Sequence, residues 1–201
     1  MNTSTSSFVR TPASFFASRT PRRRNRGFTL IELLIVMAVL AILAGIGVPT
    51  MKSMVRSVEL SSASNDLLAG FLIARSEAVK RHSRVVLCKS SDGLTCSTTG
   101  GWEQGWLVFH DANNNGMREE GEAIAHRQQA LAGNLRVTGN LNVVRYISYA
   151  PNGTTKLVGG GFQAGTITLC NQSPDSGPAR QIILSSAGRA RVQKSQVATC
   201  E

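Results

Sequence analysis

One segment limits what this chain can be more than any other. Residues 28–48 read FTLIELLIVMAVLAILAGIGV, 21 residues with a single charge, Glu32. A helix rises about 1.5 Å per residue, so roughly 20 apolar residues suffice to cross a bilayer. Residues 1–27 are rich in Ser, Thr and Arg and close on Arg22-Arg23-Arg24-Asn25-Arg26-Gly27. That composition reads as disordered, and the arginine cluster holds the N-terminus in the cytoplasm by the positive-inside rule. Everything after the apolar run is then expected on the far side of the membrane.

Glu32 separates three readings of this segment. An ordinary signal peptide would be cut after the apolar run, near Ala41 to Ala44, and a plain signal anchor would stay uncut. Neither gives a reason for a carboxylate placed early in a membrane run, which costs a few kcal/mol and marks a functional site by default. In the third reading, Gly27-Phe28-Thr29-Leu30-Ile31-Glu32 resembles the prepilin (class III) signal. The resemblance implies that a prepilin peptidase cuts between Gly27 and Phe28 on the cytoplasmic side and N-methylates Phe28. It also implies that Glu32 serves subunit assembly, that the partners are other pilins or pseudopilins in a filament, and that the chain starts as a single-pass protein of the bacterial inner membrane with a periplasmic head. The chemistry agrees: cleavage frees an α-amine on Phe28, and Glu32 of one subunit can pair with that ammonium on a neighbour. Each supplies the partner that the other charge lacks in an apolar filament core, so the pair sets register more than stability. The 27-residue leader is long for this family, and initiation at Val9 from an alternative start codon would shorten it.

The leader also accounts for most of the charge. The net charge is +10, and removing the leader's six arginines, which have no acid beside them, leaves +4. The basicity is thus weak support for nucleic-acid binding by the processed chain. Cys88, Cys96, Cys170 and Cys200 all follow the apolar run. An even count on the exported side points to two disulfides. Of three possible pairings, Cys88–Cys96 and Cys170–Cys200 are favoured, because the members of each pair are close in sequence or share the C-terminal sheet region. No CxxC spacing suggests zinc or a redox motif, and neither a metal nor another cofactor is expected.

Beyond Pro49, where a kink is expected, residues 52–81 contain one Gly and no Pro. Leu60, Ala63, Leu67, Phe71, Ala74 and Ala78 recur at helical spacing as one apolar stripe. Asp66, Arg75 and Glu77 are placed on the opposite side. One helix is predicted from Thr29 to about Arg81, with residues 28–48 as its transmembrane and polymerisation half and 49–82 as its amphipathic half; two helices broken at Pro49 are the alternative. From residue 83 the helical period stops. Short β-like runs over 84–89, 105–110, 122–129, 135–138, 145–149, 166–170, 181–185 and 189–193 alternate with turn signals such as Asp92-Gly93, Pro151-Asn152-Gly153 and Gly159-Gly160-Gly161. The fold class is α+β: one long N-terminal helix packed on an antiparallel β-sheet head over 83–201, with no second domain.

An ordered set of phrases resembles the GspH/FimT family, the H-type minor pseudopilins of type II secretion and related minor pilins of type IV pili. These are Ala74-Arg75-Ser76-Glu77-Ala78, the stretch from Cys88 to Cys96 around Ser91-Asp92-Gly93, Gly105-Trp106-Leu107-Val108-Phe109 leading into Asp111 to Glu122, and Ser186-Ala187-Gly188-Arg189-Ala190-Arg191. The resemblance implies a type IV pilin-like fold and a structural subunit of a secretion pseudopilus or a pilus.

Two motifs carry alternative chemistry. Asp111, Asn113, Asn115, Gly116 and Glu122 fit the calcium-loop pattern, but strand-like flanks favour an Asn/Gly-rich hairpin loop instead. Gly188, Arg189 and Arg191 match a tail motif that the FimT resemblance links to DNA binding in natural transformation. Arg189 and Arg191 share a strand face, and Arg180 and Lys194 are expected to add charge nearby; the competing reading is a solvated edge strand. His82, His110 and His126 show no triad-like spacing, so no enzymatic activity is expected. Trp102 and Trp106, around a Gly-containing turn, are read as core covers.

Overall fold

The computed structural model describes residues 27–131, 133–173 and 175–200. The leader's arginines and its expected disorder lie outside these residues, as do the side chains of residues 46–50, among them Pro49. The chain divides into two units, Met1–Gly45 and Ile46–Glu201. The helix α1 is assigned without interruption over Leu30–Arg81, so the alternative of two separate helices does not hold.

In the second unit α1 is followed by eight strands: β1 (Val85–Lys89), β2 (Trp106–His110), β3 (Ile124–Gln128), β4 (Leu135–Gly139), β5 (Tyr146–Tyr149), β6 (Gly165–Asn171), β7 (Gly177–Leu184) and β8 (Ala190–Val197). They form two four-stranded antiparallel sheets, ordered β3-β2-β1-β5 and β4-β6-β7-β8. The sequence suggests one sheet. The chain crosses between the sheets three times, because β4 belongs to the second sheet and β5 returns to the first before β6.

The six positions of the helix stripe are all buried. They form one core with Val85, Leu87, Val108, Ile147 and Tyr149 from the first sheet and Val137, Ile167, Leu169, Ile182 and Leu184 from the second. Each fully buried aliphatic side chain contributes about 1.5–3 kcal/mol, so this shared contact is the main source of head stability. The other face of the first sheet is covered too. Val86, Cys88, Leu107 and Phe109 form a second buried cluster, which explains why β1 and β2 read as continuous apolar runs and not as alternating ones.

A short 3₁₀ turn, Trp102–Gln104, ties the sheets together. Trp102 Nε1 donates to Val143 O at 3.1 Å. Glu103 accepts from Val137 N at 2.9 Å and from Arg136 Nη1 at 3.2 Å, so its carboxylate aligns the first strand of the second sheet. Both tryptophans are wholly buried, in line with the core role read from sequence.

Two strand limits differ from expectation. β7 starts at Gly177 and not near Gln181, although it takes in Pro178. The β6 pairing ends at Cys170↔Ala179, so Pro178 has only Gln196 of β8 as a neighbour, and no lost ladder bond results. β8 continues to Val197 because Gly177 pairs with it.

Gly70, the one glycine over residues 52–81, has a packing reason. A Cβ at Gly70 would stand 2.8 Å from Nε1 of the buried Trp106. Alanine is the better helix former by about 1 kcal/mol, yet crowding in a packed core costs about 1–3 kcal/mol. Gly70→Ala is therefore expected to lower the thermal midpoint of the head, seen by circular dichroism, in spite of its helix propensity. A raised midpoint would contradict this packing account.

Candidate functional site

The start of α1 is built by local hydrogen bonds. Thr29 O accepts from Leu33 N at 3.1 Å, the first helical bond. Glu32 Oε2 accepts from Thr29 N at 3.3 Å, and Glu32 N donates to Thr29 Oγ1 at 3.3 Å. This reciprocal pair is a capping box, with Thr29 as the cap and Glu32 three residues on. Its carboxylate also lies at the positive end of the helix dipole. Sequence reasoning missed this role for Thr29, although Thr-x-x-Glu before an apolar run signals it. Gly27 and Phe28 stand immediately before the box, and Phe28 is 81% exposed. From Leu30 through Leu43 the large apolar side chains are exposed as well. Among the described residues no helix is long and apolar enough to cross a membrane; the 28–48 run continues into residues whose side chains are not described.

Disulfides join Cys88 to Cys96 and Cys170 to Cys200, with Cα atoms 5.6 and 6.0 Å apart. The first closes a loop on the outer face of the first sheet, and the second fastens the chain end to β6. Inside the first loop Asp92 accepts from Leu94 N and Thr95 N at 2.8 Å and from Thr95 Oγ1 at 2.7 Å. Lys89, buried beneath, donates from Nζ to Gly100 O at 2.6 Å and holds the far end of the loop. Burial lowers the Lys89 pKa, and Arg145 lowers it further. Nothing in the sequence singles out this lysine, because a buried cation in a strand looks like any outward-facing one.

The loop between β2 and β3 is closed by its own side chains. Asp111 accepts from Asn115 N at 3.1 Å and Gly116 N at 3.0 Å. Glu122 accepts from Ala112 N and Glu119 N, and Glu119 from the amides of Asn113 and Asn115. The oxygens that the calcium pattern would offer are thus committed to the turn, and no group of three or more metal-ligating side chains occurs among the described residues. His110, at the end of β2, has Nε2 3.6 Å from Glu77 Oε2. Glu77 therefore does not sit on an outer helix face as expected: it is half-buried and also bonds Arg81 Nε at 2.9 Å. Burial, then Arg81, lowers the His110 pKa, and Glu77 acts the other way.

The C-terminal arginines fall partly as expected. Arg189 lies in the turn before β8 and Arg191 within it, and both are exposed. Gly188 has a φ of 75°, and a Cβ there would collide with Gly153 O, so the turn requires glycine. Arg180 and Lys194 do not join that surface. They are register partners, in line with Ile182↔Val192 and Leu184↔Ala190, whose side chains face the helix. Strand alternation puts Arg191 on the opposite face.

A helix whose buried stripe carries two antiparallel sheets, and whose free apolar start follows a capped Gly-Phe junction, defines the pilin type of subunit. The family model described as "Type II transport protein GspH" matches residues 63–188, and the prokaryotic N-terminal methylation motif matches 22–48. The chain belongs to the GspH family. It is 28% identical over 177 residues to the pilin-like protein PilA1 of Thermus thermophilus, covering 84% of this chain and 99% of that protein. The fold is similar to that of the type IV minor pilin FimU of Pseudomonas aeruginosa, with a TM-score of 0.52 at 23% identity, over 72% of this chain and 97% of that one. The protein is thus a minor pilin or pseudopilin, a membrane-anchored structural subunit of a pilus or secretion pseudopilus that assembles with other pilins.

The Asp92 geometry fixes a pH dependence. Hydrogen bonds, Thr95 N first, lower its pKa. A lowered folded-state value gives stability that is present above the unfolded value of about 4 and is lost as pH falls below it. Asp92→Ala is expected to lower stability at neutral pH, in denaturant unfolding, and the gap to the unaltered protein should close progressively in acid. A gap that is constant with pH would show that the carboxylate charge is not what matters.

Proposed function

We propose that the chain is cut between Gly27 and Phe28, N-methylated on Phe28 by a prepilin peptidase, and drawn into a filament by its N-terminal helix. Before assembly it is a single-pass protein of the bacterial inner membrane with its head in the periplasm. The observation that carries this reading is the single carboxylate of Glu32, four residues after Phe28 in an apolar and exposed helix start. Two disulfides in the head favour an oxidising compartment. In a filament, Glu32 exchanges its bond to Thr29 for the methylated ammonium of a neighbour's Phe28.

Glu32→Ala is expected to be cleaved normally, by the size shift on an immunoblot, and to be depleted from the sheared filament fraction. Normal incorporation of that variant would sink the docking role of Glu32.

A second reading, DNA binding in natural transformation, is favoured by one observation: Arg189 and Arg191 are both exposed beside a rigid glycine turn, on a face free of the helix. Two phosphate contacts would give a salt slope of about −2 in log–log terms. A gel shift with the full chain in detergent, abolished by the Arg189→Ala, Arg191→Ala pair, is the expected result; a shift that persists in the double variant would end this reading.

A further inference from the structure

Arg180 and Lys194 form a cationic pair that the fold does not neutralise. They stand opposite each other on β7 and β8. Like charges in that position destabilise a sheet. Arg180 Nη2 donates to Ser61 Oγ at 3.0 Å, which turns the half-buried guanidinium towards α1. Among the described residues neither cation has an ion pair with a carboxylate. The one acid on this turn of the helix, Glu59, points away towards Gly133.

The pair lines a groove of about 390 Å³, bounded by Ser57 of α1 and by Pro178, Ser195 and Gln196. No acidic side chain lines it. Blocking of edge pairing explains a lysine on the outermost strand. It does not explain Arg180, which sits on an inner strand and faces the helix. Beside the groove the helix exposes Met54 and Val58. With Ser57 and Ser61 these fall at i, i+3, i+4 and i+7, so they share one helix face. A desolvated guanidinium takes a carboxylate in a two-bond fork. Apolar contact beside such a pair is the usual make-up of a protein–protein interface.

The geometry points to this groove as a docking site for a second filament subunit, which sets an aspartate or glutamate between Arg180 and Lys194 while its apolar surface covers Met54 and Val58. A nucleic acid fits less well. The groove offers only two cations, and Arg189 and Arg191 lie on the other side of the sheet, so no continuous basic track exists. The inference rests on the reading of the chain as a filament subunit and adds the chemistry of its partner.

The test uses the full chain in cells that make the filament, with a photoreactive phenylalanine in place of Gln196. Illumination is expected to give an adduct with another pilin-like subunit, mapped by mass spectrometry to a peptide with an Asp or Glu at the contact. The Arg180→Glu, Lys194→Glu pair should lower the adduct yield at least about tenfold, the scale of one close interfacial charge pair, and reversal of the mapped acid to Lys should restore it. Lys194 is exposed, so Lys194→Glu alone keeps the fold and must by itself reduce the yield. Adducts with lipid or nucleic acid only, no adduct, or a yield indifferent to Lys194→Glu each overturn the proposal. The two levels stay distinct: recovery of the cleaved, unaltered chain in the filament fraction tests the subunit reading, and the adduct tests the groove.

Discussion

The head depends on one contact, the packing of a single helix face against two sheets at once. Leu60, Leu67 and Phe71 each touch a core to which both sheets contribute. Each four-stranded sheet has an apolar face that must be covered from water, and the helix stripe covers both. The glycine at position 70 lets Trp106 come up against the helix backbone, and Trp102 and Glu103 then fix the second sheet relative to the first. Loss of the stripe would therefore not loosen one layer. It would leave two apolar sheet faces without a shared cover, which is why the stripe is so strict in its spacing and so uniform in its burial.

What was legible in the sequence follows from period and chemistry. The stripe could be read because a helix repeats every 3.6 residues and its apolar positions do the same. All eight strands could be located because Gly, Asn, Asp and Ser punctuate them. The prepilin signal could be read from Gly27-Phe28 and Glu32, because few chains combine a basic leader, a small residue, an aromatic and one carboxylate in an apolar run, and the GspH/FimT resemblance from the ordered phrases of the head. What was not legible depended on tertiary neighbours. The start of β7 was obscured by Pro178, whose acceptability depends on where β6 ends. Glu77 was placed on the wrong side because the position of β2 decides whether it meets solvent or His110. Arg180 and Lys194 were grouped with Arg189 and Arg191 by sequence proximity, whereas the odd–even alternation of an unbroken strand separates them.

The loops show the same limit from another side. The residues of the β2–β3 loop have the composition of a calcium site, and composition alone does not tell whether carboxylates face inward to an ion or to their own backbone. Here Asp111 and Glu122 serve backbone amides, and the loop spends its charge on holding its own shape. Lys89 and Asp92 do the equivalent for the disulfide loop, one from below and one from within. Two loops over the outer face of the first sheet are thus each held by their own side chains.

The capping box at Thr29 gives the start of α1 a property that hydrophobicity does not. The carboxylate of Glu32 accepts from the backbone amide of Thr29 at the start of its own helix. Under the proposed docking, a neighbour's ammonium would replace an amide donor, so the carboxylate has a partner before and after the exchange and the net gain is smaller than for a bare charge. In that reading the apolar surfaces supply the adhesion, and they have no sense of position along the axis. In the proposed filament role the carboxylate acts as a detent: it tells a sliding helix where to stop.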